Sequence, residues 1–259
     1  MTSLSLPVLK GATGLVLYDG PSKLDGEEII CIATGLGKKS NNVKTGDMIQ
    51  TWIMRKDSNP IAASQAGDDE SVCGDCKHRR SNGGACYVNL GQAPLNIWKS
   101  YHKGNYPVYD KDTHLKYFKG KLLRMGSYGE PTAIPIAVWK ELLKVIKGHT
   151  AYTHQWNNTK VRRGFKDFVM ASVDDEKERA KANKGGWRTF RVKGPDDIIL
   201  KGEFVCPASE EAGKRLTCQQ CLACDGGRPP KASVVIDAHG AIKKRFLERN
   251  KNGSNAVKP

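Results

Sequence analysis

The sequence predicts an α/β fold, either an open doubly wound sheet or a barrel, and three observations carry that expectation. From Gly120 onward, short apolar runs alternate with helical patterns, as parallel βα units do. Polar groups fall where such strands end: Ser127 and Glu130, His154 and Gln155, Ser172 and Asp174, Asp237 and His239. Chemistry in both architectures sits at the C-terminal ends of strands, and this agreement favours a barrel-like site. Seven of the eight cysteines fall into two tight groups along that framework.

Taken in order, Met48–Met54 reads as a strand and Leu95–Tyr101 as a helix. Between them, Asp57–Glu70 is polar and rich in small residues and is expected to be a loop, with Asp68-Asp69-Glu70 solvated. Lys121–Met125 is a strand ending at Gly126-Ser-Tyr-Gly-Glu-Pro131. Ile136–Ile146 is an amphipathic helix, with Pro135 in its first turn and Gly148 at its end. Thr150–Thr153, Phe168–Ser172, Trp187–Val192 and Ser233–Asp237 are further strands. Asp175–Asn183 is helical, and a last helix lies around Ile242–Leu247. Trp98, Tyr101 and Trp139 sit at helical spacings and read as core. The expected organisation is N-terminal strands and a lead-in over 1–47, a barrel-like core over 48–200, a cysteine knuckle with the last strand and helix over 201–249, and a flexible basic tail over 250–259.

A hydrophobic content of 39% suits a soluble protein, and no apolar run approaches the roughly 20 residues of a membrane span. The start lacks a basic region followed by a long apolar one, so no signal peptide is expected and cytoplasm is the default. Net charge is +15, which favours an anionic partner, nucleic acid being the common one. Basic clusters lie at Lys77–Arg80, Lys160–Arg163 and Lys243–Arg245.

In a reducing compartment, clustered cysteines are metal ligands or redox groups more often than disulfides. The first group is Cys73, Cys76 and Cys86, spaced C-x2-C-x9-C; the second is Cys206, Cys218, Cys221 and Cys224, spaced C-x11-C-x2-C-x2-C. A short turn aims two sulfurs at one point, so each group suits iron–sulfur or zinc ligation. Four thiolates close a site completely. Three leave one position open on a 4Fe–4S cluster, or join His78 in a closed Cys3His zinc site. Cys31, alone in an apolar run, reads as a small buried hydrophobe. His154 and Gln155 are candidates for substrate contact, against a packed Trp156 with a hydrogen-bonded histidine. Ser172 and Asp174 could equally cap the following helix. Asp237 and His239 suit acid–base or metal chemistry, against a helix-start turn.

The order of elements resembles the radical S-adenosylmethionine enzymes over roughly residues 48–195. In that family a cysteine loop follows the first strand, a Gly-Gly-Glu-Pro turn ends the second, and a later strand ends in Ser-x-Asp. Here these correspond to Cys73/Cys76/Cys86, to Tyr128-Gly129-Glu130-Pro131 and to Ser172-Val173-Asp174. The resemblance implies a partial (β/α)6 TIM-like barrel, a 4Fe–4S cluster and bound S-adenosylmethionine, with Gly129, Glu130, Ser172 and Asp174 at the cofactor. Glu130 would accept from the amino group of its methionine part. The family's usual cluster spacing is C-x3-C-x2-C, and this chain departs from it; a relative that kept the barrel without its chemistry is the third possibility. Gly83–Gly91 is also similar to uncharacterised phage-encoded cysteine-rich proteins. Two readings compete with a radical-SAM-like enzyme acting on nucleic acid or a nucleotide-linked substrate. One is a zinc-stabilised nucleic-acid-binding protein, and the other a zinc-containing base-exchange or hydrolytic barrel enzyme using Glu130 and Asp174.

Overall fold

A computed structural model describes residues 13–37, 42–160, 162–227, 231–239 and 243–248. The tail expected over 250–259 lies outside them, as does Ile242 of the last helix. The chain is α/β, and among the described residues nine strands form one sheet. Two antiparallel strands, β1 (Gly14–Pro21) and β2 (Glu28–Thr34), flank β3 (Ile49–Arg55). From β3 onward every pairing is parallel: β4 (Leu122–Tyr128), β5 (Gly148–Thr153), β6 (Met170–Val173), β7 (Thr189–Lys193), β9 (Ser233–Asp237), then β8 (Glu203–Val205) at the edge. Among the described residues β1 and β8 do not pair. The two flanks still meet through loops, because Cys218 N–H donates to the Lys44 carbonyl at 2.8 Å and Asp47 N–H to Gln219 at 2.5 Å. No helix is long and apolar enough to cross a membrane among the described residues.

The strands form where apolar and β-branched residues bury on both faces. Ile29 to Ala33 of β2 are all fully buried, Cys31 among them as expected. The helices start on recognisable chemistry. Asp175 caps α6 (Glu176–Lys184) by accepting from Glu178 N–H at 2.7 Å, and acidic residues open that helix while lysines close it. The cap is thus Asp175, which leaves Asp174 for another purpose. Helix α5 (Ile136–Leu143) buries Trp139 and Leu142; it stops a turn earlier than Ile146, and Gly148 opens β5 instead of ending the helix. Helix α3 (Ala93–His102) occupies the Leu95–Tyr101 segment.

Two expectations for the lead-in to the first cysteines are corrected. Residues 57–70 are not one loop: Pro60–Ala66 forms helix α1, capped by Asn59, whose side chain accepts from Ile61 and Ala62 N–H at 3.1 Å. Small residues carry no apolar period, which hid the helix, although Asn-Pro was a start signal. Asp69 is not solvated either. It is 4% exposed and ion-paired to Arg79 at 2.8 Å.

Candidate functional site

Cys73 ends α2 (Glu70–Cys73), the short helix two segments after β3. The loop that follows is held by its own polar residues. Arg79 donates to Asp69, to the Gly74 carbonyl at 2.8 Å and to the Gly67 carbonyl. Gln155 Nε2 reaches in from the turn after β5, donating to Asp75 at 2.6 Å and to the Cys73 carbonyl at 3.3 Å. The close approach requires glycine at 74, since a Cβ there would lie 2.5 Å from that amide. Gln155 is 1% exposed, so its amide fixes the cysteine loop instead of facing open space.

The loop lines a cavity of about 540 Å³. Cys73, Cys76 and Cys86 line it, together with Ser127, Gly129, Glu130, His154, Ser172, Asp174 and His239 from the ends of β4, β5, β6 and β9. Cys206, Cys218, Cys221 and Cys224 line it too, from the loop after β8. The two cysteine groups, far apart in sequence, therefore share one chamber. Packing around the Cys73 thiol, then the facing Cys76 and Cys86 sulfurs, push it well above the ordinary thiol range. Burial, reinforced by Cys206, Cys218 and Cys221, pushes Cys224 up to about 12 despite a contact with Tyr152.

Glu130 follows β4 in a turn that only glycine permits. Gly129 has φ +81°, and a Cβ there would lie 2.7 Å from Ile53. The carboxylate is 6% exposed and accepts from Thr153 Oγ1 at 2.5 Å and from His154 N–H at 2.9 Å. Asp174, 2% exposed at the end of β6, meets His78 Nε2 at 2.6 Å and Lys77 Nζ at 2.9 Å. Burial alone would raise its pKa, but the contacts with His78 and Lys77 outweigh it and hold Asp174 well below the usual carboxylate range. Burial likewise opposes protonation of His154, but Cys76 and Glu130 outweigh it and raise that histidine well above its ordinary value.

Among the described residues, His78, His154 and Asp174 are the one set of three donor atoms lying mutually within 4.8 Å. No three sulfurs of either cysteine group are that close. Trp156 is buried and donates to the Ser172 carbonyl at 3.0 Å, which accounts for the His-Gln-Trp motif's third member. Asp237 forms an ion pair with Lys193 at 2.5 Å, and His239 meets Lys44 Nζ at 3.1 Å. Of the basic clusters, Lys77–Arg80 is not an open patch, because Lys77 and Arg79 are spent on Asp174, Glu178 and Asp69.

Sequence reasoning missed three contributors. Asp69 and Arg79 were hidden in an acidic and a basic run. Arg124 was hidden in a strand, although a lone arginine inside Lys121-Leu-Leu-Arg-Met125 is itself an anomaly. Comparison with family models, with curated proteins and with solved structures returned no match.

Proposed function

We propose that the chain is a radical-S-adenosylmethionine-type iron–sulfur enzyme. Its curled parallel sheet serves as a partial (β/α)6 barrel, and its substrate is nucleic acid or a nucleotide-linked molecule. One observation carries the reading. The cysteine loop after the first parallel strand and the carboxylate after the second line the same cavity, with Ser172 and Asp174 from a later strand beside them.

The residues fit the group. A tetrahedral zinc with bonds of about 2.3 Å draws its sulfurs to about 3.8 Å from one another. Here no three sulfurs come mutually within 4.8 Å, so neither cysteine group is drawn in to that zinc spacing. Cys73, Cys76 and Cys86 would hold a 4Fe–4S cluster with one iron open, and the second group a further cluster or zinc. Bound there, the cluster supplies single electrons to the sulfonium of S-adenosylmethionine. Glu130 is pre-oriented by Thr153 and by the His154 amide, with lone pairs left to accept from an ammonium. The +15 charge supports an anionic substrate.

The test is anaerobic reconstitution with iron and sulfide, followed by iron analysis and assay of S-adenosylmethionine cleavage. Cys73→Ala is expected to lose the iron of the first centre and all cleavage, while Asp174→Asn keeps the iron. A second reading has its own observation, the His78–His154–Asp174 set, which could hold a single divalent ion for hydrolytic chemistry. That reading demands the reverse pattern: Asp174→Asn loses the metal and Cys73→Ala keeps it.

Glu130→Gln separates cofactor binding from folding. The amide keeps an acceptor for the His154 N–H, and the Thr153 hydroxyl can reverse to accept, so melting should hardly change. The lost charge-assisted bond is worth roughly 1.5–3 kcal/mol, so affinity for S-adenosylmethionine is expected to fall about tenfold or more by calorimetry. Unchanged affinity moves the cofactor away from Glu130.

A further inference from the structure

The enclosed arginines of this chain follow a rule that one of them breaks. Arg55, Arg79, Arg179, Arg188 and Arg191 each meet a carboxylate at 2.7 to 2.9 Å. Arg124, on the cavity side of β4, meets none among the described residues. Its terminal nitrogen donates to the Tyr87 hydroxyl at 3.2 Å, and its guanidinium stands 5.9 Å from the centre of the Tyr152 ring. Its Nε is sealed from solvent and has no acceptor.

An enclosed guanidinium without a counter-charge is costly unless a ligand supplies one. Its planar fork matches an oxyanion in two-point contact. Other cations on the wall of the same cavity point the same way. Lys44 and Lys243 line it, and neither has a carboxylate partner among the described residues. The carboxylates on the wall, Glu130 and Asp174, are already engaged by Thr153 and His154 and by His78 and Lys77, and the Cys218 and Cys224 sulfurs near Arg124 are those assigned to the second metal centre.

We infer that Arg124 is the anchor of a substrate oxyanion, a phosphate in preference to a carboxylate, bound in the cavity between the two cysteine groups. This names the substrate end of the proposed enzyme and rests on that cavity being its reaction chamber. The phosphate is preferred because several cations face one space and a phosphate carries up to two charges. The rest of the substrate then occupies the part of the cavity lined by Glu130 and the first cysteine loop.

The test is titration of the metal-loaded chain with inorganic phosphate, and separately with acetate, at fixed ionic strength and without S-adenosylmethionine. Wild type is expected to bind phosphate, and Arg124→Met to weaken it about tenfold or more. Arg124→Lys should keep part of the affinity, and Arg163→Met, which removes an exposed charge outside the cavity, should change nothing. Acetate binding more tightly than phosphate, with the same dependence on Arg124, supports the anchor and makes the group a carboxylate. Equal phosphate binding by wild type and Arg124→Met overturns the inference, as does no binding of either anion. So does an Arg124→Met chain that loses the metal of the second cysteine group while its remaining loaded fraction binds phosphate as wild type does, since Arg124 would then only balance thiolate charge. Phosphate binding without any binding of S-adenosylmethionine sinks the proposed function and leaves this site standing.

Discussion

Arg79→Met is expected to destabilise the protein by about 3–5 kcal/mol and to empty the first cysteine group of metal, because it breaks a buried ion pair and strands the partner. The Arg79 and Asp69 side chains are 6% and 5% exposed, and they meet at 2.8 Å. The same guanidinium also satisfies the carbonyls of Gly67 and Gly74, either side of the helix that ends in Cys73. Methionine fills similar volume and takes a donor from the Asp69 carboxylate and from the Gly74 carbonyl, leaving the Gly67 carbonyl only the long 3.4 Å bond from Glu70 N–H, inside the segment that carries Cys73 and Cys76. Arg79→Lys keeps the charge but not the fork, so it should fall between the two. Pairing Arg79→Met with Asp69→Leu removes both charges and should recover much of the loss. Denaturant unfolding and metal analysis on the four chains read this directly. A single Arg79→Met variant that melts like wild type and keeps its metal would show that the loop is held by something else.

That pair also shows where the sequence stopped being legible. Most parallel strands could be read because burial on both faces demands runs such as Phe168 to Ala171 and Val234 to Ile236, whereas the half-buried edge strand Glu203–Val205 carries no such run. The helix ends could be read only where a cap was unambiguous. Asp174 and Asp175 are adjacent and chemically alike, and only the structure shows that Asp175 turns to the Glu178 amide while Asp174 turns to His78. Charge was the least legible property. Asp69 lies in an acidic run and Arg79 in a basic one, and each run by itself reads as solvated surface. Ten residues and one turn bring them together, and the pair then buries what neither could bury alone.

The shared chamber was hidden for a different reason. Strand-end polarity announced that Glu130, His154 and Asp174 could converge, since parallel strands all end on one side. Nothing local says that Cys206 to Cys224, more than a hundred residues beyond Cys86, line the same cavity. That depends on the loop after β8 reaching the segment before β3, through contacts such as Cys218 N–H to the Lys44 carbonyl. Arg124 belongs to the same class of fact. Its place in an apolar strand is visible in the sequence, but its lack of a carboxylate among the described residues is a property of the folded cavity.

On the function proposed above, the second cysteine group is where loss of a metal should cost the most, and Cys224→Ala is the sharpest probe of it. Cys224 is 7% exposed, and its carbonyl accepts from Ala151 N–H at 3.0 Å, so the group is tied to the middle of β5. It packs with Met48, Met170, Val234 and Ile236 in an apolar cluster of its own. Burial, with Cys206, Cys218 and Cys221 beside it, keeps the Cys224 thiol from ionising, so ionising it as a ligand calls for a cation at this spot. Metal binding by such a site is folding free energy, on the order of 10 kcal/mol for a structural zinc at neutral pH. Cys224→Ala is therefore expected to lose the metal of this centre, lower the melting temperature sharply and loosen residues 206–224, with the first centre's iron retained. Cys31→Ala is the matched control. It is equally buried but solitary in β2, so it should cost only about 1 kcal/mol, as for one buried methyl, and leave metal content unchanged. If Cys224→Ala keeps its full metal content and melts no lower than Cys31→Ala, the four cysteines are packing residues and the second metal centre falls.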